Sequence, residues 1–283
     1  MKNFGNKIKY PSFVTCKELA QRWRYDNIAL REKLKVTPHL KFVSQEGWHW
    51  DDSYIKGLER DCHDYNIELE VDKIDKSGYG VFVDKSYLDS PFLMSSNINK
   101  FTDIFVSSNF TKEETEKLGL ADIDKTLSNS VYDMPCTPDA VYTYLNDIGY
   151  DFDGQRICIV GRGNVGEPLS RDLIKHTDAT VTVCHSRTRD IYDIFKESDL
   201  IITATDVVNM FNMKGIHVPI IDVGLGIGKD GKLHGNVIED TIEDDVDFCA
   251  TGINTIGLLT REELIERVLE FYRRLKFYEA HHE

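Results

Sequence analysis

The sequence predicts an α/β protein with two domains, and three observations carry that prediction. The chain has 283 residues, which is more than one small core requires. From about residue 136 onward, short apolar runs alternate with segments of helical length, a pattern typical of a doubly wound parallel sheet. One of these runs leads directly into a glycine-rich turn. We therefore predict an N-terminal α/β domain over residues 1–135, with residues 261–283 packing back on it, and a second domain over residues 136–260.

The first half reads as alternating helices and strands. Thr15-Cys16-Lys17-Glu18 is a capping box, in which a hydroxyl and a carboxylate each bind a free amide at a helix start. A second capping box, Thr111 to Glu114, opens another short helix. The remaining predicted elements are a helix over Asp51 to Tyr65 and strands over Leu40 to Ser44, Ile67 to Val71 and Asp103 to Ser107.

The second half begins with a helix whose N-cap is Thr137, with Pro138 at its first position, where the missing amide costs nothing. Gly149 is expected to end this helix in the left-handed conformation. Thr260 to Glu263 is read as a third capping box that opens the last helix. The predicted strands between these helices are Arg156 to Val160, Thr180 to Cys184, Leu200 to Ala204 and Val218 to Val223.

Composition excludes several classes of protein. The net charge is −14 without a basic block, which disfavours a nucleic-acid partner. No apolar run reaches the roughly 18 residues of a membrane helix, and the N-terminus lacks the apolar stretch of a signal peptide. The six cysteines are scattered without a CxxC pair, so we expect no metal site, and free thiols in the cytoplasm.

The glycine-rich turn points to a phosphate ligand. Gly161-Arg162-Gly163-Asn164-Val165-Gly166 follows a predicted strand and opens a predicted helix, which is the context that a GxGxxG motif requires. The first glycine permits the tight turn, the second lets a pyrophosphate approach the backbone, and the third lets helix and strand pack closely. The helix start then offers amides and a partial positive charge to the anion. This pattern predicts a Rossmann-type domain that binds a dinucleotide.

The end of the next strand indicates which dinucleotide is bound. An NAD site places an acidic residue about 20 residues after the glycines, to bind the ribose hydroxyls. Here the chain has His185-Ser186-Arg187-Thr188-Arg189 instead. With Arg162, Ser186 and Arg187 available to a 2′-phosphate, we predict NADP as the cofactor.

Several strings together resemble the bifunctional methylenetetrahydrofolate dehydrogenase/methenyltetrahydrofolate cyclohydrolase family. They are Pro135-Cys136-Thr137-Pro138, Gly161-Arg162, the stretch from Ala179 to Thr188, and Ile221-Asp222-Val223-Gly224. The resemblance implies an N-terminal catalytic domain, a folate substrate, NADP as hydride acceptor, and a cytosolic homodimer. It also implies that Arg162 and Ser186 lie at the 2′-phosphate and that Leu225 lies beside the cofactor.

The chain departs from the family at several places. Its glycine loop is one residue shorter, Gly235-Asn236-Val237 stands where the family has GDV, and residues 251–260 replace a glycine- and proline-rich loop. The family glutamine that supports the catalytic lysine corresponds to Ser107. Its KDVDG motif corresponds to residues 121–125, where Asp124 would contact the pterin ring.

Two registers compete for the family's Tyr-x-x-x-Lys motif. Counting from the first strand places Lys56 at the lysine and Asp52 at the tyrosine, whereas counting back from Cys62 places Tyr54 at the tyrosine and Leu58 at the lysine. The first is preferred, because Asp52 and Lys56 are four residues apart and share a helix face.

The function predicted is therefore NADP-dependent oxidation of 5,10-methylenetetrahydrofolate, and hydrolysis of the methenyl product is left open as a second step. In that step Lys56 would act as the base, at a pKa lowered by desolvation. Two alternatives stay open: an NADP-dependent oxidoreductase on another small substrate, and a catalytically silent NADP-binding protein.

Overall fold

The structure is a computed structural model, and it describes residues 15–45, 51–74, 104–107, 134–251 and 255–282. The chain divides into two compact units. The N-terminal unit comprises Ala20–Cys136 and Thr260–Glu283, and the central unit comprises Met1–Leu19 and Thr137–Leu259.

The N-terminal unit contains a parallel sheet. Its strands are β1 (His39–Gln45), β2 (Glu68–Ile74) and β3 (Ile104–Ser107), in the order β2-β1-β3. Its helices are α2 (Asp51–Asp64), most of α1 (Cys16–Glu32) and most of the last helix, α6 (Ile256–His282). Helix α2 connects the parallel neighbours β1 and β2, because parallel strands need a long crossover between them. These strands and α2 lie within three residues of their predicted limits.

Three elements supply most of the core of this unit. Leu40 and Phe42 come from β1, and Leu58 and Cys62 from α2, all at most 1% exposed. Helix α6 adds Leu264, Ile265, Val268 and Leu269 to the same cluster. Helix α6 therefore packs its apolar side chains into this core.

The central unit contains a five-stranded parallel sheet. Its strands are β4 (Arg156–Val160), β5 (Thr180–Cys184), β6 (Leu200–Thr203), β7 (Ile220–Asp222) and β10 (Cys249–Ala250), in the order β10-β7-β6-β4-β5. Its helices are α3 (Cys136–Asp147), α4 (Gly166–His176) and α5 (Ile191–Lys196), and β8 (Leu225–Ile227) and β9 (Leu233–Gly235) form an antiparallel hairpin. The predicted parallel sheet is confirmed, and Gly149 follows α3 at φ +71°, in the left-handed region as predicted.

Strand order defines a switch point in this sheet. From β4 the chain moves to β5 on one side and then to β6 on the other, so β4 lies between them. In such sheets ligands bind beyond the carboxyl ends of the strands at the point where the direction of winding changes. The glycine-rich loop leaves β4 at this point.

Two predicted helix starts have opposite outcomes. At Thr15 the capping box is confirmed, because the Thr15 N–H donates to Glu18 Oε2 at 2.9 Å and the Glu18 N–H donates to Thr15 Oγ1 at 3.2 Å. The capping box at Thr260 is wrong, since α6 begins at Ile256 and Thr260 lies buried inside it. Glu263 there binds Arg267, whose Nε donates to Glu263 Oε1 at 2.9 Å.

Two kinds of feature are absent from the described residues. Among them no helix is both long and apolar enough to span a membrane. Nor do three or more of their His, Cys, Asp or Glu side chains form a group able to hold a metal ion.

Candidate nucleotide-binding site

The three glycines of the loop after β4 have different surroundings. Gly161 has φ +116°, and a Cβ added there would collide with the carbonyl oxygen of Ala204, the residue after β6. A Cβ on Gly166 would collide with the carbonyl oxygen of Gly161, so these two glycines are required by the fold itself. At Gly163, no heavy atom of the described residues lies within 4 Å of such a Cβ. The chain therefore leaves open space at the second glycine, where a phosphate would approach the backbone.

Helix α4 begins immediately behind this loop. Val165 is its N-cap residue, and no side chain caps this start in the described part of the chain. The Gly161 N–H donates to the carbonyl oxygen of Cys184 at 2.9 Å, which ties the loop to the end of β5. Arg162 and Asn164 are exposed in the loop. The start of α4 thus offers main-chain donors and the positive end of a helix dipole to an anion.

A tight turn follows β5 at the same edge of the sheet. The His185 N–H donates to Thr188 Oγ1 at 2.9 Å, and the Thr188 N–H donates back to the His185 carbonyl at 2.8 Å. This turn holds Ser186 and Arg187 exposed. Because Val160 and Cys184 are register partners, the segments that carry Arg162 and Ser186 leave adjacent strands side by side. The structure therefore brings the predicted 2′-phosphate residues to one edge.

The segments after β6 and β7 lie on the other side of the glycine loop, and we call the space that they border the nucleotide crevice. The Ala204 N–H donates to the Val160 carbonyl at 2.8 Å, so the segment after β6 starts against the glycine loop. A Cβ on Gly226 would lie 2.8 Å from Val208 Cγ1, so the β8–β9 hairpin contacts the same segment. Leu225, the first residue of β8, is exposed there.

Two buried polar residues beneath this border were not recognised from the sequence as site residues. Asp222 is 2% exposed and accepts hydrogen bonds from the Thr203 hydroxyl and the Val237 N–H, both at 2.8 Å. Burial raises the pKa of its carboxyl, and those hydrogen bonds act in the opposite direction. Asn236 is fully buried. The sequence signal for the pair is the two glycines beside it: a Cβ on Gly235 would collide with Asp222, and one on Gly224 with Asn236.

The predicted catalytic residues all fall within the range of the N-terminal unit. Lys56 is exposed on α2, whereas Leu58 is completely buried and Tyr54 packs on Phe42 with ring centroids 5.8 Å apart. Asp52 belongs to the first turn of α2, but its side chain lies outside the described part of the structure, as does all of Asp124.

The fold and the loop define a class of protein, one that binds a dinucleotide at the switch point of a parallel sheet. Comparison with protein families is more specific. Residues 135–276 match the model of the tetrahydrofolate dehydrogenase/cyclohydrolase NAD(P)-binding domain, which is half of the chain. The chain therefore belongs to the tetrahydrofolate dehydrogenase/cyclohydrolase family and is an enzyme with an NAD(P)-binding domain. The resemblance read from the motifs is confirmed, as is the two-domain α/β fold class.

Curated proteins and solved structures agree with this assignment. The chain is 27% identical over 288 residues to the bifunctional protein FolD of Clostridium botulinum, covering 91% of this chain and 96% of that one. Its fold resembles that of the FolD dehydrogenase/cyclohydrolase from Campylobacter jejuni, with a TM-score of 0.74 at 20% identity over 92% of this chain and 98% of that one. The FolD enzyme of Trypanosoma brucei, solved with NADP cofactor and an inhibitor, gives a TM-score of 0.74 at 19% identity over 93% and 97% of the two chains.

Proposed function

We propose that the chain oxidises 5,10-methylenetetrahydrofolate to 5,10-methenyltetrahydrofolate with NADP as hydride acceptor. The observation that carries this proposal is the loop at the switch point, where two glycines are required by packing and the glycine between them has open space. In a chain of this family, the open space beside the backbone of Gly163 fits a bound pyrophosphate. The curated relatives are named as bifunctional FolD proteins, which supports folate as the substrate class.

The residues of the central unit would hold the cofactor in two parts. The loop Gly161–Gly166, with Arg162, Asn164 and Val165, would bind the pyrophosphate through main-chain N–H groups at the start of α4. Ser186 and Arg187, together with Arg162, would bind the 2′-phosphate, and Leu225 would contact the cofactor from the hairpin. When bound, the nicotinamide supplies the hydride acceptor, and the protein contributes chiefly by positioning the two reacting carbons.

The preference for NADP over NAD rests on charge at the end of β5. An arginine fork binds a phosphate with charge-assisted hydrogen bonds, and the turn presents a hydroxyl and a guanidinium at this edge. The chain carries a net charge of −14, so an anionic ligand depends on such local groups. Dissociation constants for the two nucleotides test this preference; NAD binding as tight as NADP binding would contradict it.

Helix α2 bears on the hydrolytic second step. Lys56 and Glu59 are exposed on α2, while Ile55, Leu58 and Cys62 are buried in the core beside β1. Tyr54 and Leu58 share the side of the helix that packs on the core, and they fit the family's tyrosine and lysine by the second register. We therefore propose that a leucine stands at the lysine position, so that the reaction stops at the methenyl product because a base is missing. It remains a prediction that Lys56 is the base, with Asp52 beside it and Asp124 on the pterin ring. An assay of both steps tests this prediction.

One experiment addresses both steps. The purified chain is given methylenetetrahydrofolate with NADP, and the absorbances of NADPH and of methenyltetrahydrofolate are followed together. NADPH formation supports the dehydrogenase, whereas tight NADP binding without turnover would support the silent-protein alternative. Methenyl product that accumulates and decays at the uncatalysed rate supports the second register. If it is hydrolysed enzymatically and Lys56→Met abolishes that hydrolysis, the first register is correct.

Three further expectations belong to this proposal. The domain limits 1–135 with 261–283, and 136–260, would separate the folate-binding part from the nucleotide-binding part. A homodimer is supported by the edge strand β5, which pairs only with β4 among the described strands and carries the exposed Val183. A cytoplasmic location is consistent with six free cysteines. Light scattering of the purified chain and fractionation of cells test the last two.

A further inference from the structure

The segment that follows β6 is fastened by one buried side chain, that of Asn236. Its Oδ1 accepts a hydrogen bond from the Thr205 N–H at 2.9 Å. Its Nδ2 donates to the carbonyl oxygens of Thr205 and Val207, both at 2.9 Å. Because a carbonyl oxygen only accepts and a backbone N–H only donates, these three partners fit an amide, whereas the aspartate that the family carries at this position would fit them only in its protonated form.

The main chain beside Asn236 holds the rest of the same segment. The Asn236 carbonyl accepts from the N–H groups of Met210 at 2.6 Å and Phe211 at 3.0 Å, and the Gly235 carbonyl accepts from the Asn209 N–H at 2.8 Å. Residues 205–211, which we call the β6 loop, are thus tied to residues 235 and 236 along their length. The side chain of Asn236 holds the part of the loop nearest to β6.

That part of the loop is continuous with the wall of the nucleotide crevice. Ala204 precedes Thr205 directly, and its carbonyl oxygen lies against the backbone of Gly161. A shift of Thr205 would therefore move Ala204 and change the space beside the glycine loop. The contact is between two backbones, so neither can give way without moving a strand end.

We propose that Asn236 is a positioning residue for dinucleotide binding: its amide fixes the β6 loop against the glycine loop and keeps the crevice in the shape that accepts the pyrophosphate. This inference rests on the proposed function only in taking NADP as the ligand of the central unit. It assigns Asn236 no contact with the cofactor and no part in the chemical step.

Replacing Asn236 by Asp tests the requirement for an amide through pH. The new carboxyl would be buried, and Asp222, the other buried carboxyl in this region, accepts the N–H of the next residue, Val237. Asp206 on the loop is exposed, and His234 is paired with Asp230, with Nε2 2.9 Å from Oδ1. Burial and Asp222 both favour the protonated form, which has one O–H to donate to a loop carbonyl. Ionisation removes that donor and sets a charge against two carbonyl oxygens.

The direction of the pH dependence of NADP binding follows from which protonation state of the new carboxyl the β6 loop accepts. Since the protonated carboxyl fits the loop, the Asn236→Asp variant binds NADP best below the pKa of the new group and more weakly as the pH rises through it. The 2′-phosphate of NADP also titrates near neutral pH, so the quantity to follow is the ratio of variant to wild-type dissociation constants. We expect this ratio to rise at least about tenfold between about pH 5.5 and pH 8.5.

Two variants serve as controls. Asn212→Asp makes the same change at an exposed asparagine whose Oδ1 accepts the Lys214 N–H at 3.1 Å, a bond that a carboxylate keeps. The ratio of its NADP dissociation constant to that of the wild type should stay near one at every pH. Asn236→Ala removes the three hydrogen bonds without adding charge, so it should weaken NADP binding by about tenfold with no pH dependence of the ratio.

The outcomes separate this inference from the proposed function. Absence of NADP binding by the wild type overturns the proposed function and, with it, the ligand assumed here. Normal binding by the wild type together with a flat ratio for Asn236→Asp overturns the amide requirement. Wild-type affinity in Asn236→Ala overturns the positioning role, and that variant decides the matter if the aspartate variant does not fold.

Discussion

Alanine substitutions at the three loop glycines should separate stability from nucleotide binding. At Gly161 an added Cβ meets the Ala204 carbonyl at a φ of +116°, so Gly161→Ala combines backbone strain with overpacking. Strain at such a position costs about 1–3 kcal/mol and overpacking a similar amount, so the free energy of unfolding should fall by roughly 2–5 kcal/mol. Gly166→Ala meets the Gly161 carbonyl without the strain and should lose about 1–3 kcal/mol.

Gly163→Ala should behave in the opposite way. Its φ is not in the left-handed region and no atom in the described part of the chain lies within 4 Å of the added Cβ, so the free energy of unfolding should be unchanged or slightly higher. The methyl group would fill the space through which a phosphate approaches the backbone. We expect the NADP dissociation constant to increase by at least about tenfold, which is the affinity equivalent of about 1.4 kcal/mol.

Two measurements on each variant check this pattern. Thermal unfolding without ligand reports stability, and a loss of 1 kcal/mol should lower the Tm by about 2–4 °C for a unit of this size. Titration with NADP at a temperature where all variants are folded reports binding. Wild-type stability in Gly161→Ala would refute the packing argument, and wild-type NADP affinity in Gly163→Ala would refute the phosphate assignment.

Three other predictions concern single contacts. Ser186→Asp should weaken NADP binding by about tenfold or more and leave NAD binding unchanged or tighter, because a carboxylate repels a 2′-phosphate; equal losses for both nucleotides would contradict it. Tyr65→Phe removes the hydroxyl that donates to the buried Glu262 carboxylate at 2.5 Å, and urea unfolding should show a loss of about 1–3 kcal/mol. Burial raises the pKa of Glu262 above its ordinary 4.5, so the folded chain holds this proton more tightly than the unfolded chain. The stability of the wild type relative to Glu262→Gln should therefore be greatest at low pH and decrease as the pH rises from about 4.5 through the folded pKa; a constant difference would count against the burial argument.

Much of the fold could be predicted because its signals are local. The runs Arg156–Val160 and Thr180–Cys184 match β4 and β5 residue for residue, since apolar strands between helices have clear boundaries. The hairpin strands β8 and β9, three residues each, lack that length and went unrecognised. The start of α6 was misjudged because a capping sequence inside a longer helix looks the same as one at its end.

Only part of the candidate site could be predicted from the sequence, because only part of it is local. The glycine loop is a contiguous motif, and the spacing of its glycines is enough to predict a phosphate-binding turn. Asn236 acts on Thr205 and Val207, which lie about 30 positions earlier in the chain, and such pairing depends on the order of the strands. The alignment of α2 with the family's Tyr-x-x-x-Lys motif was equally ambiguous from the sequence. Lys56 and Leu58 are only two residues apart, and only the packing of the helix shows that Lys56 is exposed and Leu58 lies in the core.

Asp222 packs on Gly235 and Asn236 packs on Gly224, and these two contacts hold the base of the β8–β9 hairpin. The part of the hairpin beyond these contacts is free to change in length. Insertions near Asp230, at the tip of the hairpin, should therefore leave nucleotide affinity intact, whereas a side chain in place of Gly224 or Gly235 would collide with Asn236 or Asp222. In a lineage of such chains, the length of the hairpin tip would vary and the two glycines at its base would be retained.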